Sequence, residues 1–133
     1  MSTFHLKIST PDGLKFDGDV ERLRVRMIDG DVSILARHAD YVSAVGAGEA
    51  AVTTADGQTR YAACIGGMLA MIHNEANLIA TTFEWADEID FERAKRAKEA
   101  AEARIAAAKN DDKELMLASA KLQRALVRIN VKH

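Results

Sequence analysis

Every Gly and the only Pro of this 133-residue chain lie at or before Gly67, and the last 66 residues contain neither. These two residue types punctuate structure more strongly than any others. The chain therefore divides into a turn-rich first part, residues 1–86, and an uninterrupted second part, residues 87–133. A chain of this length can hold one domain or a compact domain with an appendage, but not two large cores.

The first part reads as short strands separated by turns. Phe4-His5-Leu6-Lys7-Ile8 alternates apolar and polar residues with the period of a strand, and Thr10-Pro11-Asp12-Gly13 supplies a turn. Val20, Leu23, Val25 and Met27 follow, with Arg24 and Arg26 giving that strand one wet face. Asp56-Gly57 between Val52-Thr53-Thr54 and Gln58-Thr59-Arg60-Tyr61 predicts a hairpin with a two-residue loop. Gly66-Gly67 interrupts an apolar run and marks a bulge or a close approach of two backbones. Asn77 to Thr82 reads as a last strand. Short strands with turn signals between them argue for an all-β sandwich or barrel, taken here as a β-sandwich of about ten short strands, and against parallel-sheet nucleotide folds.

After Trp85 the period becomes helical. Asp87 is the expected cap of a first helix, with Asp90 adding negative charge at its positive end. Ala94, Ala97, Ala101 and Ala108, with Ile105 beside them, mark one face. Asn110-Asp111-Asp112 is a polar break that can start a second helix, where Leu115, Ala118, Leu122, Ala125 and Ile129 form a seam at 3,4,3,4 spacing. So short a join predicts an antiparallel two-helix hairpin. Eight of the twenty residues from Phe91 to Asn110 are Ala, which favours helix but buries only a methyl, worth about 0.8 kcal/mol. Helix content is easily reached, whereas docking is weak.

Several functions are disfavoured. Net charge is −2, too near neutral to announce nucleic acid. Cys64 is the only cysteine and is read as a small buried hydrophobe, and His5, His73 and His133 fall at no metal-ligand spacing. There is no Gly-x-x-x-x-Gly-Lys-Ser/Thr loop and no Gly-x-Ser-x-Gly elbow, so neither ATP hydrolysis nor serine-type catalysis is expected. A cupin-type enzyme would need converging His and carboxylate ligands that these strands do not supply. No run of about 20 apolar residues could span a bilayer, and the first ten residues do not form a signal peptide.

The order of parts resembles the epsilon subunit of bacterial F-type ATP synthases, equivalent to the mitochondrial delta subunit. Thr10-Pro11-Asp12-Gly13, Gly30 through His38, Gly66-Gly67-Met68-Leu69 and Ile89-Asp90-Phe91-Glu92-Arg93-Ala94 carry the resemblance. It implies a noncatalytic rotor subunit at the cytoplasmic face of the bacterial inner membrane. Its partners would be the central-stalk gamma subunit and the membrane c-ring, with the alpha and beta subunits joining when the helices extend to inhibit ATP hydrolysis. In place of the family's Gly-Glu-Leu-Gly-Ile-Leu-Pro-Gly-His stands Gly30-Asp31-Val32-Ser33-Ile34-Leu35-Ala36-Arg37-His38, which loses two Gly and a Pro.

No cofactor is required by this reading, but some members of the family bind regulatory ATP through an Ile/Leu-Asp-x-x-Arg-Ala motif and later arginines. Glu84, Asp90, Arg93, Arg124 and Arg128 match those positions, while Ala100 stands where an arginine is expected. The alternative is an Asp90–Arg93 ion pair that merely steadies the helix start. Lys121, Arg124, Arg128 and Lys132 form a basic stripe, read either as a solvated face complementing the helix end or as a partner contact. Gly30, Asp31 and His38 are the candidate rotor contacts, and His38 can equally be a plain loop residue. A free-standing ATP-sensing module is the competing function.

Overall fold

A computed structural model describes residues 2–133. Seven strands are followed by two helices: β1 (Phe4–Thr10), β2 (Gly13–Met27), β3 (Gly30–Leu35), β4 (Tyr41–Ala44), β5 (Ala47–Thr54), β6 (Thr59–Ile72), β7 (Glu75–Trp85), a 3-10 turn (Ala86–Glu88), α1 (Phe91–Ala108) and α2 (Asp112–Ile129). The strands pair in the order β1-β7-β6-β5-β2-β3, with β4 on β6, and a further β1–β2 pairing closes the ring into a flattened sandwich. β1 runs parallel to β7; all the other pairings are antiparallel.

The strands are fewer and longer than the turn signals predict, because β2 and β6 each change partners along their length. β2 pairs with β1 as far as Val20 and with β3 and β5 from there onward. A register shift between Val20 and Arg22 takes up one extra residue, so Val20 and Leu23 both point inward although they are three apart. β6 pairs with β5 up to Ile65 and with β4 from Met68. The change falls at Gly66-Gly67, where both residues have positive φ and a Cβ on Gly67 would lie 1.9 Å from the Ile79 carbonyl oxygen. The double glycine thus serves a close backbone approach.

Alternation fills the interior with Phe4, Leu6 and Ile8 of β1, Val25 and Met27 of β2, Leu69 and Met71 of β6, and Leu78 of β7. Cys64 lies among them, and burial pushes its thiol up to about 12. Trp85 closes the end of this core beside the first helical turn, edge-on to Phe83 at 4.9 Å and with the Arg60 guanidinium 3.8 Å above its ring.

The turns refine the sequence expectations. The hairpin at Asp56-Gly57 exists, but its loop spans residues 55–58, closed by Thr54 N–H donating to the Gln58 carbonyl at 2.8 Å. Asp56 accepts from the Thr54 hydroxyl and the Gln58 N–H, which holds its carboxyl below the usual range. These side-chain bonds accommodate the wider loop. A tighter hairpin lies at His73-Asn74, with φ of 50° and 64°, the paired positive values of a two-residue turn matched to strand twist.

In the helical part Asp90 caps α1, its carboxylate accepting the Arg93 N–H at 3.0 Å. Asp87, the expected cap, sits inside the 3-10 turn, because Glu88 folds back onto the Trp85 N–H at 2.9 Å and displaces the helix start. Asp111 caps α2 through the Glu114 N–H at 3.1 Å. The two helices pack through Ala94, Ala101 and Ala108 against Ala118 and Ala125, all buried. The seam repeats every seven residues, which leaves Ala97 exposed beside it instead of within it.

Candidate functional site

The hairpin lies folded against the sandwich, with α2 touching β5 and β6. Its root is fixed by a second apolar cluster of Ala63, Ile89 and Val131, packed with Tyr61, Phe91 and Val127. Ala63 presents only a methyl and Val131 is 1% exposed, so α2 approaches the sheet closely at this one end.

Between the helices and the end of β7 lies a cleft of about 520 Å³. Its floor is Ala94, Ala97, Ala100, Ala101 and Ala125, and larger side chains at these positions would fill it. Ala94, Ala101 and Ala125 belong to the helix seam as well, so the residues that weaken the seam help to create the space. Five cations (Arg93, Arg104, Lys121, Arg124 and Arg128) and three carboxylates (Glu84, Glu88 and Asp90) line it.

All three carboxylates are engaged. Glu84 holds Arg128 Nε at 2.5 Å, tying β7 to α2. Glu88 takes the Lys15 ammonium at 2.8 Å as well as the Trp85 N–H, and with Lys15 the larger influence its carboxyl is held below the ordinary value. Asp90 is spent on the helix cap. Arg104 is forked onto Glu114 at 2.6 and 2.7 Å, bridging the helices. Among the described residues Arg93, Lys121 and Arg124 have no carboxylate within 4.0 Å. Uncompensated guanidinium groups around a methyl-lined space suit a phosphate-bearing ligand, whose oxygens they can bind in bidentate fashion.

The cleft thus gathers Glu84, Asp90, Arg93, Arg124 and Arg128, the five positions read from sequence as nucleotide-binding, and adds Arg104, Lys121 and Glu88. The Asp90–Arg93 side-chain ion pair does not form among the described residues, since the cap uses the Arg93 backbone instead. Arg104 was legible in principle: it lies eleven residues beyond Arg93, about three helical turns, on the same face.

The other predicted contacts do not come together. Gly30 and Asp31 start β3, and Asp31 faces Arg24 at 3.9 Å and Arg26 at 3.8 Å. His38 lies past the opposite end of β3, its ring edge-on to Tyr41 at 5.9 Å. The basic stripe holds only for Lys121, Arg124 and Arg128, because α2 ends at Ile129 and Lys132 turns back to place its Nζ 5.2 Å from the Tyr61 ring. In the altered segment before His38, Arg37 adopts a φ of 64°, and its N–H donates to Asn74 Oδ1 at 2.6 Å.

Two family models match consecutive parts of this architecture: "ATP synthase, Delta/Epsilon chain, beta-sandwich domain" over residues 3–86 and "ATP synthase, Delta/Epsilon chain, long alpha-helix domain" over residues 87–132. The chain belongs to the ATP synthase delta/epsilon family. It is 39% identical to the ATP synthase epsilon chain of Bacillus velezensis, covering 98% of both chains. It is also 39% identical to the "ATP synthase epsilon chain, sodium ion specific" of Acetobacterium woodii, over 84% of this chain and 80% of that one. In structure it resembles a chain of the Euglena gracilis mitochondrial ATP synthase (OSCP/F1/c-ring) with a TM-score of 0.82 and 19% identity, covering 92% of this chain and 77% of that chain. The change from one family model to the next falls inside the 3-10 turn Ala86–Glu88.

Proposed function

We propose that the chain is a noncatalytic central-stalk subunit of a proton-translocating F-type ATP synthase on the cytoplasmic face of a bacterial inner membrane. Its sandwich grips the gamma subunit beside the c-ring, and its hairpin, when released toward the alpha and beta subunits, restrains ATP hydrolysis. The observation that carries this reading is an uncovered apolar face on β4, β6 and β7. Val42, Met68, Ile72 and Ile79 are each between 46% and 59% exposed, and Met68 pairs directly with Ile79. An apolar patch of this kind on a small subunit marks a protein interface. The opposite arrangement, with small residues under α2, suits a helix that docks and leaves.

The test is reconstitution with a gamma-containing catalytic head. Met68→Lys combined with Ile79→Lys is expected to abolish co-purification with gamma, and deleting residues 88–133 is expected to raise ATPase rate while leaving gamma bound. Retention of gamma by the double variant would refute the docking face. Gly30, Asp31 and His38 belong to the proposed rotor-facing contacts, and Lys121, Arg124, Arg128 and Lys132 to those made by the released hairpin.

A second reading concerns regulation by ATP, which the convergence of five cations on one alanine-floored cleft favours. ATP held there by Arg93, Arg124 and Arg128, with Glu84 and Asp90 at the acidic end, would bridge both helices and the sandwich and so favour the folded hairpin. Calorimetric titration of the isolated chain with ATP is expected to show one site, lost in Arg93→Ala. A chain that binds ATP but never associates with gamma would instead be a free-standing sensor.

A further inference from the structure

We propose that Glu49 is the catch that holds the helical hairpin in its folded position. The side chain stands on the face of β5 that meets α2, and its two oxygens serve different parts of the molecule. One accepts Arg24 Nη2 at 2.6 Å, from the neighbouring strand β2. The other accepts the Lys132 backbone N–H at 2.7 Å, from the segment just beyond α2.

Arg24 belongs to the sandwich in either state of the hairpin, so the carboxylate is aimed before the hairpin arrives and loses little freedom on receiving it. A charged acceptor on a half-buried side chain makes a stronger bond than a neutral one. Around this bond the last three residues form a closed lock. Val131 fills the space against Ala63 and Ile89, Lys132 reaches the Tyr61 ring, and His133 stacks on Phe91, the first residue of α1, at 4.0 Å. The hairpin cannot swing away without withdrawing all three.

The other polar tie, Glu84 to Arg128, lines the cationic cleft, where an anionic ligand competes for the same guanidinium. Glu49 faces a separate, smaller cleft of about 300 Å³ with Arg24, Asp31, Gln123 and Asn130. The two ties are therefore distinct in kind: one is open to ligand control, and Glu49 sets the resting position whatever the cleft contains. The consequence for inhibition rests on the proposed regulatory function; the catch itself does not.

Hydrogen exchange on the full chain tests it without partners. Glu49→Ala is expected to speed exchange at the Val131 and Lys132 amides and the last turn of α2 by about tenfold or more, the scale of one charge-assisted bond. Amides of Leu69 and Leu78 should not change. Arg24→Gln, which leaves the carboxylate in place but no longer aims it, should speed the same C-terminal amides by a smaller factor, about two- to threefold. Equal acceleration by both substitutions, acceleration spreading through the strands, or no acceleration at all would overturn the proposal. In a reconstituted catalytic head, Glu49→Ala should deepen inhibition. Faster exchange without deeper inhibition would keep the catch and refute the regulatory role of the hairpin.

Discussion

The sandwich and the hairpin are held by side chains of very different size, and that difference separates a tightly packed part from a lightly attached one. In the sandwich Phe4, Leu6, Ile8, Leu23, Met27, Ile34, Leu69, Met71 and Leu78 are fully buried. Each aliphatic or aromatic side chain of this kind contributes about 1.5–3 kcal/mol when removed from water. In the hairpin the buried residues of both helices are all Ala, and the larger Leu115, Leu122 and Ile129 are only half-covered. A methyl seam gives close helix approach but little adhesion, so the hairpin's attachment to the strands depends on a small apolar root and a few directed polar bonds.

The largest expected effect tests the sandwich side of this contrast. Leu78→Ala should lower stability by about 2–5 kcal/mol, read from a urea transition followed by Trp85 fluorescence. Next, Ala118→Leu forces bulk into the seam and should cost about 1–3 kcal/mol. Hydrogen exchange should confine that loss to α1 and α2. A cost spread equally through the strands would show that the two regions unfold as one unit, and the contrast would fail.

Smaller effects sharpen it. Asp90→Ala removes the cap that separates the 3-10 turn from α1 and should cost about 1 kcal/mol of helix stability, seen as earlier thermal loss of helical circular dichroism. Arg37→Gly should stabilise the sandwich by up to about 1 kcal/mol, because glycine adopts φ of 64° without the clash an L side chain meets. The smallest effect is electrostatic. His5 lies between Asp19 at 3.0 Å and Asp17 at 2.5 Å, and hydrogen bonds first to Asp19 and then to Asp17 raise its pKa above 6.5. A raised folded value stabilises the β1–β2 pairing fully below pH 6.5 and loses that contribution as pH climbs through the folded pKa. An NMR titration placing His5 at or below 6.5 would remove this contribution.

The site was more legible than the route to it. Asp90, Arg93, Arg124 and Arg128 stand on helices whose period is visible in sequence, and helical geometry alone puts Arg124 and Arg128 one turn apart. Glu84 is different: it comes from β7 and meets Arg128 across 44 positions of sequence, a contact that depends on how the hairpin folds back. Likewise the role of Glu49 is invisible without knowing that Lys132 leaves the helix and returns to the strands. The turn at His73-Asn74 was missed because neither residue is glycine, although Asn is the side chain that best tolerates such a conformation.

What the sequence determined by itself was the division into strands and helices, through the location of its glycines and proline and the change of period after Trp85. It also determined the weakness of the helix seam, because the number of alanines does not depend on how the chain folds. Only the tertiary structure decided which cations remain without carboxylate partners, which apolar strand face stays uncovered, and which carboxylates tie the hairpin down. Those outcomes depend on residues far apart in sequence meeting at hydrogen-bond distance, and periodicity carries no information about such meetings.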